Sequence, residues 1–161
     1  RGDGSESIID ISNPNSPVEV RRFTQADGLG TNPLTSEISP DGRFGLTINR
    51  GSNTLTVIDI DRLEITGTVT LPDESAPLGG TFLPSGERFF VPLPGRDAVA
   101  VVSVPDFQVE TLVPVGPRPL GAAYVEAEVP ERQGMFIPMG DALEHGRTFD
   151  ANCPDRCCGA V

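Results

Sequence analysis

The sequence predicts an all-β chain of propeller-type blades, each of four antiparallel strands, and three observations predict it. The first is internal repetition. Pro33-Leu34, Pro40, Gly42 and Ile58 reappear as Pro77-Leu78, Pro84, Gly86 and Val102, always 44 positions on. A period of roughly 40 to 50 residues rich in strand formers marks propeller blades. The second is punctuation: 18 Gly and 16 Pro leave few windows long enough for a helix, and the apolar runs between them are short and rich in Val and Ile. The third is the count of such runs, four within the repeat that begins at Pro33, as one blade requires.

Taken in order, Arg1 to Ser5 is a small polar loop opening with Arg-Gly-Asp, a short integrin-recognition string that also arises by chance. Ser7 to Ile11 reads as a strand, Ser12 to Pro17 as a dense turn, and Val18 to Phe23 alternates as the next strand. Asp10 stands 49 positions before Asp59, so the loop around 25–32 carries about five extra residues. Leu34 to Ile38 is then the innermost strand of a blade. In Ser39-Pro40-Asp41-Gly42, Pro presets φ, Asp bonds backbone two residues on, and Gly accepts positive φ. Arg43 to Asn49, Thr54 to Ile60 and Glu64 to Leu71 complete the four strands. The following copy keeps the frame, but Pro92 and Pro94 lie in its second strand. Proline removes a ladder donor, so that strand is expected to be irregular. A third copy opens at Pro119-Leu120, 42 positions after Pro77, and then loses the tight turn to 127–134.

The repeats occupy 1–142, in units of approximately 5–53, 54–98 and 99–142, and a Cys/His-containing tail follows at 143–161. At about 44 residues per blade, 161 residues hold about three and a half blades, fewer than the roughly four to eight that close a ring. Additional blades or a protein partner are therefore expected, from a longer polypeptide or from another chain. The start at Arg1 rather than Met points to a processed or partial product. Twelve basic against 23 acidic residues give a net charge of −11, which repels phosphate backbones and argues against nucleic acid as a partner. No apolar run approaches the ~20 residues of a membrane span, and no signal-peptide pattern opens the chain.

Several of these residues carry a family resemblance. Pro33 to Val69, with Ser39-Pro40-Asp41-Gly42, Leu46-Thr47-Ile48-Asn49, Asn53 and Val57-Ile58-Asp59, resembles the repeat of YVTN-type propellers. Ile8 to Pro17, with Asp-Ile, then Ser-Asn-Pro and a second Pro, is similar to LVIVD-like repeats. The resemblance covers about Ser7 to Gly140 and implies a rigid binding or scaffolding module, in the periplasm or secreted.

No catalytic constellation is legible in the repeats. Ser85 and Ser103 lack a His partner, and Asp10 and Asp59 fall at equivalent strand ends where a turn hydrogen bond is the simpler role. An enzyme is not the favoured reading. The tail, by contrast, collects the only His and all three Cys: His145, Cys153, Cys157 and Cys158. Three readings stand. Cys153 forms a disulfide with Cys157 or Cys158 in an oxidising compartment. His145 with Cys153, Cys157 and Cys158 binds a transition metal such as zinc or copper. Or the tail, with Gly146-Arg147-Thr148-Phe149 before its cysteines, resembles the opening of a c-type cytochrome domain, which implies haem c. In that pattern Cys158 stands where the iron-ligating His would be, and three residues rather than two separate Cys153 from Cys157. Two functions follow: an extracytoplasmic binding or scaffolding propeller, or a redox protein whose propeller supports a cofactor held by the tail.

Overall fold

The computed structural model describes residues 4–129 and 132–138. Its strands are β1 (Glu6–Asp10), β2 (Val18–Phe23), β3 (Pro33–Ile38), β4 (Phe44–Asn49), β5 (Thr54–Asp59), β6 (Glu64–Thr70), β7 (Thr81–Phe82), β8 (Arg88–Leu93), β9 (Ala98–Ser103), β10 (Val109–Pro114), β11 (Ala122–Val129) and β12 (Arg132–Pro138). Two four-stranded antiparallel sheets form, β3-β4-β5-β6 and β7-β8-β9-β10, flanked by the hairpins β1-β2 and β11-β12. The architecture is all-β and of the propeller type. A unit counted from 54 to 98 thus takes β5 and β6 from one sheet and β7 and β8 from the next.

Burial explains why the middle strands are the most apolar. In β4 every residue from Gly45 to Asn49 is buried, and in β5 every residue from Leu55 to Ile58. Strands covered on both faces read as continuous apolar runs, whereas the outer β6 alternates. One core joins the two sheets. Leu46, Ile48, Leu55, Val57, Val69 and Leu71 from the first meet Phe82, Phe89, Val91, Leu93, Ala100 and Val102 from the second. Each of these side chains larger than alanine contributes about 2 kcal/mol on burial. At one end Phe44 and Phe107 extend this contact, ring edge to ring face, with centroids 5.0 Å apart.

Proline in β8 acts differently from expectation. The β8–β9 ladder runs from Arg88↔Ser103 to Leu93↔Ala98 without a shift, Pro92 facing Val99. The other side of β8 shows the effect: β7 pairs only through Thr81↔Phe90 and Phe82↔Phe89. The missing N–H of Pro92 removes the donor that a longer β7 would need. The carbonyl of Pro92 instead accepts from the N–H of Leu78.

The backbone repeats as faithfully as the sequence. Gly42 and Gly86, 44 apart, both have φ 77° in the turns between first and second strands. There the N–H of Gly42 donates to the carbonyl of Ser39 at 2.8 Å, and that of Gly86 to Leu83 at 2.9 Å. Left-handed backbone recurs at Asn53 and Asp97, at Leu63 and Phe107, and at the residue before each repeat-opening proline, Asn32, Ala76 and Arg118. Non-glycine residues rarely adopt this region. Its recurrence at fixed intervals shows that the connections, and not only the strands, are set by the repeat.

Candidate binding surface

In each four-stranded sheet the turns fall at two ends. One end carries 39–42, 60–63, 83–86 and 104–107; the other carries 50–53 and 94–97 with the connectors 71–80 and 115–121.

The first end is built from side-chain turns. Asp41 accepts from the Ser39 hydroxyl at 2.6 Å and from the N–H of Arg43 at 3.1 Å. The Ser39 hydroxyl first, and the Arg43 N–H second, hold the Asp41 carboxyl below its ordinary range. Asp10 and Asp59 do what their positions suggest: Asp10 Oδ1 accepts from the N–H of Ser12 at 2.8 Å, and Asp59 Oδ1 from the N–H of Arg62 at 2.9 Å. Both are turn residues. Ser103 likewise exchanges hydrogen bonds with the backbone of Gln108.

The second end is locked by hydrogen bonds between blades. Asn53, in the turn between β4 and β5, accepts at its backbone carbonyl from the N–H of Leu71 and at Oδ1 from the N–H of Ala76, both at 2.9 Å. The neighbouring blade repeats this: Asp97 accepts at its carbonyl from Val115 and at Oδ1 from Arg118, again at 2.9 Å. Connector 71–78 is gripped from its other side too. The N–H of Gly95 donates to Ser75 at 3.0 Å, and Arg96 Nε donates to the carbonyl of Asp73 at 2.8 Å. The earlier connector docks on the same turn, since Arg50 and Gly51 donate to Asn32 and Thr31. Beneath it, Asn49 is fully buried and its amide donates to the Thr47 carbonyl and to the hydroxyls of Thr54 and Thr56.

Asn53 and Asp97 were visible in the sequence as an Asx pair 44 apart, but their role as clamps on the next connector was not. Short Asx side chains tolerate the left-handed region and accept backbone hydrogen bonds, so both properties are used at once. Alanine at either position loses the acceptor and keeps the strained φ. We expect Asn53→Ala and Asp97→Ala each to cost about 1–3 kcal/mol of stability, measured by urea unfolding. Asn53→Asp should be tolerated, because Asp97 already occupies the equivalent place.

Exposed Arg50, Glu74, Arg96 and Arg118 decorate this braced end. Among the described residues no group of three or more His, Cys, Asp or Glu is placed to hold a metal. The candidate ligands His145, Cys153, Cys157 and Cys158 lie outside the described residues, as does the Arg1-Gly2-Asp3 string. Among the described residues no helix is long and apolar enough to cross a membrane.

No family model matches the chain, and no curated protein matches it. Solved structures do. The chain is similar to hydrazine synthase of Kuenenia stuttgartiensis at 25% identity and a TM-score of 0.54, over 62% of this chain and 29% of that one. It is also similar to AztD of Citrobacter koseri at 16% identity and a TM-score of 0.58, over 74% and 32%. The apo form of AztD gives 17%, 0.57, 74% and 31%. The aligned region is about a third of the length of each of these structures. The likeness shows the β-propeller fold and carries no narrower family: neither the YVTN-type and LVIVD-like repeats nor a cytochrome-type tail finds a matching family.

Proposed function

We propose that the chain is a binding or scaffolding module of an extracytoplasmic protein, periplasmic or secreted, that recognises a protein partner through its braced end. The observation that carries this reading is connector 71–78, held by Asn53 on one side and by Gly95 and Arg96 on the other. Loops ordered before binding lose little conformational entropy on docking, which is how a rigid scaffold presents a recognition surface. At that end exposed Arg50, Arg96 and Arg118 stand among exposed Asp73, Glu74 and Asp97, a mixed-charge rim suited to orienting a charged partner.

The test is cross-linking with mass spectrometry of the chain in a periplasmic or secreted fraction, followed by titration of the purified cross-linked partner. Arg50→Glu and Arg118→Glu should each weaken binding about tenfold or less, as rim charges do, without moving the unfolding midpoint. Cross-links confined to the opposite end, around 39–42 and 83–86, would contradict the assignment.

The second reading, a redox protein with haem c or a transition metal at the tail, is supported by the clustering of His145, Cys153, Cys157 and Cys158 in the sequence. A visible absorption spectrum with a metal assay separates the two. A Soret band that survives denaturation would replace the pure binding reading.

A further inference from the structure

The outer strands of the two complete sheets differ in how their free edges are guarded. β6 ends the first sheet, and among the described residues its ladder partner is β5 alone. The carbonyl of Asn53 accepts from the N–H of Leu71, which fixes the phase of that ladder. Backbone groups of Leu71 and Val69 turn towards β5, and those of Thr68 and Thr70 turn outwards. An outward row of N–H and C=O groups is a template for a further strand, which sheet proteins blunt with charge or proline.

The second sheet shows the guarded form. Its outer strand β10 pairs in the same register 44 positions on, with Leu112↔Ala100 and Pro114↔Ala98 matching Thr68↔Thr56 and Thr70↔Thr54. The N–H of Val115 donates to Asp97 as that of Leu71 does to Asn53, so Leu112 and Pro114 hold the outward positions there. Pro114 has no N–H to offer, and Glu110, held by Arg88 at 2.7 Å, sets charge on the strand. β6 has Thr66, Thr68 and Thr70 at the places of Glu110, Leu112 and Pro114. All of them are exposed, and neither charge nor proline occurs from Ile65 to Thr70. Both strands bulge near their first residues, so the bulge does not distinguish them.

We propose that β6 is a strand-addition site: an extended segment of a partner protein pairs with the main chain of Thr68 and Thr70 at the outer edge of the first sheet. Charge says what kind of segment. Asp59, Asp61 and Glu64 surround the start of β6 with Arg62 between them, and exposed Asp73 and Glu74 follow its end beside Arg96. The complement of this acidic margin is a proline-free run of β-branched residues with lysine or arginine at its ends. A second copy of the chain fits poorly, because antiparallel pairing of two β6 strands about Thr68 sets Glu64 of each next to Asp73 of the other. The tail 139–161 suits the edge no better: its strand formers are Thr148, Phe149 and Val161, set among Asp141, Glu144, Asp150, Asp155 and Pro154. The site is separate from the braced end and does not rest on what that end binds.

The probe is the synthetic peptide acetyl-Lys-Val-Thr-Val-Thr-Lys-amide, titrated into the isotopically labelled full chain while amide exchange is followed by NMR. In the free chain the amides of Thr68 and Thr70 should exchange at least about tenfold faster than those of Val69 and Leu71. Bound peptide should slow them about fivefold or more, and a peptide with glutamate in place of both lysines should bind at least about fivefold more weakly. Thr70→Pro removes an outward donor and leaves the ladder to β5 intact, as Pro114 does in its own sheet. It should weaken binding about fivefold with an unchanged unfolding midpoint. Thr68→Lys, a guard at the centre of the edge, is the second variant and should act in the same direction. Binding indifferent to both variants would overturn the proposal, as would unchanged exchange up to about 1 mM peptide. Protection of Thr68 and Thr70 in the free chain would also overturn it, since the edge would then be covered already, and so would a dimer that Thr70→Pro dissolves.

Discussion

Truncating Phe89 to alanine is expected to cost about 3–5 kcal/mol, the range for removing a fully buried aromatic side chain. Phe89 is 0% exposed and lies in β8, the second strand of the second sheet. Its ring packs against Phe82, with centroids 4.6 Å apart, and belongs to the core shared by both sheets. Gly80 leaves the space that the ring fills, for a Cβ there would collide with it. Removing the ring therefore opens a cavity within the core and not at a surface. A void inside that shared core cannot close without disturbing the packing of one sheet on the other. The expected observation is a lowered urea midpoint with an unchanged slope, as two-state unfolding of a weakened native state requires. Leu46→Ala in the first sheet should behave in the same way at about 2–5 kcal/mol. An effect below about 1 kcal/mol at both positions would mean that the two sheets do not share a core.

The second large effect is expected at Gly95, from adding a single methyl group. A Cβ there would run into the carbonyl oxygen of Glu74 and lie 3.0 Å from its carbonyl carbon and 3.3 Å from that of Ser75. These are backbone atoms of connector 71–78, which cannot swing aside as a flexible side chain would. The glycine is exposed, so hydrophobicity plays no part; what is required is close approach of two backbones. Gly95→Ala must push the turn 94–97 away from the connector and so break the N–H of Gly95 from the carbonyl of Ser75 and strain Arg96 against Asp73. A loss of about 2–4 kcal/mol is expected, combining overpacking with one or two lost hydrogen bonds. Its signature differs from that of Phe89→Ala. Amide exchange should accelerate locally over 71–80 and 94–97 before global unfolding, and the binding proposed for the braced end should weaken with it. Gly116, with open space around its Cβ position, is the control: Gly116→Ala should change stability by less than about 1 kcal/mol.

These two residues also show what the sequence disclosed. Phe89 was readable, because it sits in an apolar run after a Pro-Ser-Gly turn at a position fixed by the 44-residue offset. Strands announce themselves through alternation and β-branched residues, and repetition supplies the grouping into fours. Gly95 was not readable. In sequence it is one more glycine in a turn; its requirement comes from a carbonyl some twenty residues away that only the folded connector brings near. The same holds for Ala76 and Arg118, whose left-handed backbone no propensity suggests, since an alanine or arginine gives no sign of positive φ. Pro92 marks the boundary between the two cases. Its sequence predicts damage to a ladder, but which ladder depends on whether its nitrogen points towards β7 or β9, a matter of pleat phase. Asp10 and Asp59 were read correctly as turn residues because an Asx turn is a local interaction, complete within a few positions. What remained out of reach is non-local: the clamp from Asn53 to Ala76, and that from Asp97 to Arg118.

Residues 33–114 fold as two successive four-stranded antiparallel sheets in the same register, 44 positions apart. Cross-strand Hα–Hα and HN–HN contacts measured by NMR on isotopically labelled protein test it most directly. Neighbouring backbones are expected at Leu46 and Val57 and again at Phe90 and Val101, with no ladder joining β6 to β7. Sequential helical contacts across these segments, or a continuous pairing of β6 with β7, would contradict it.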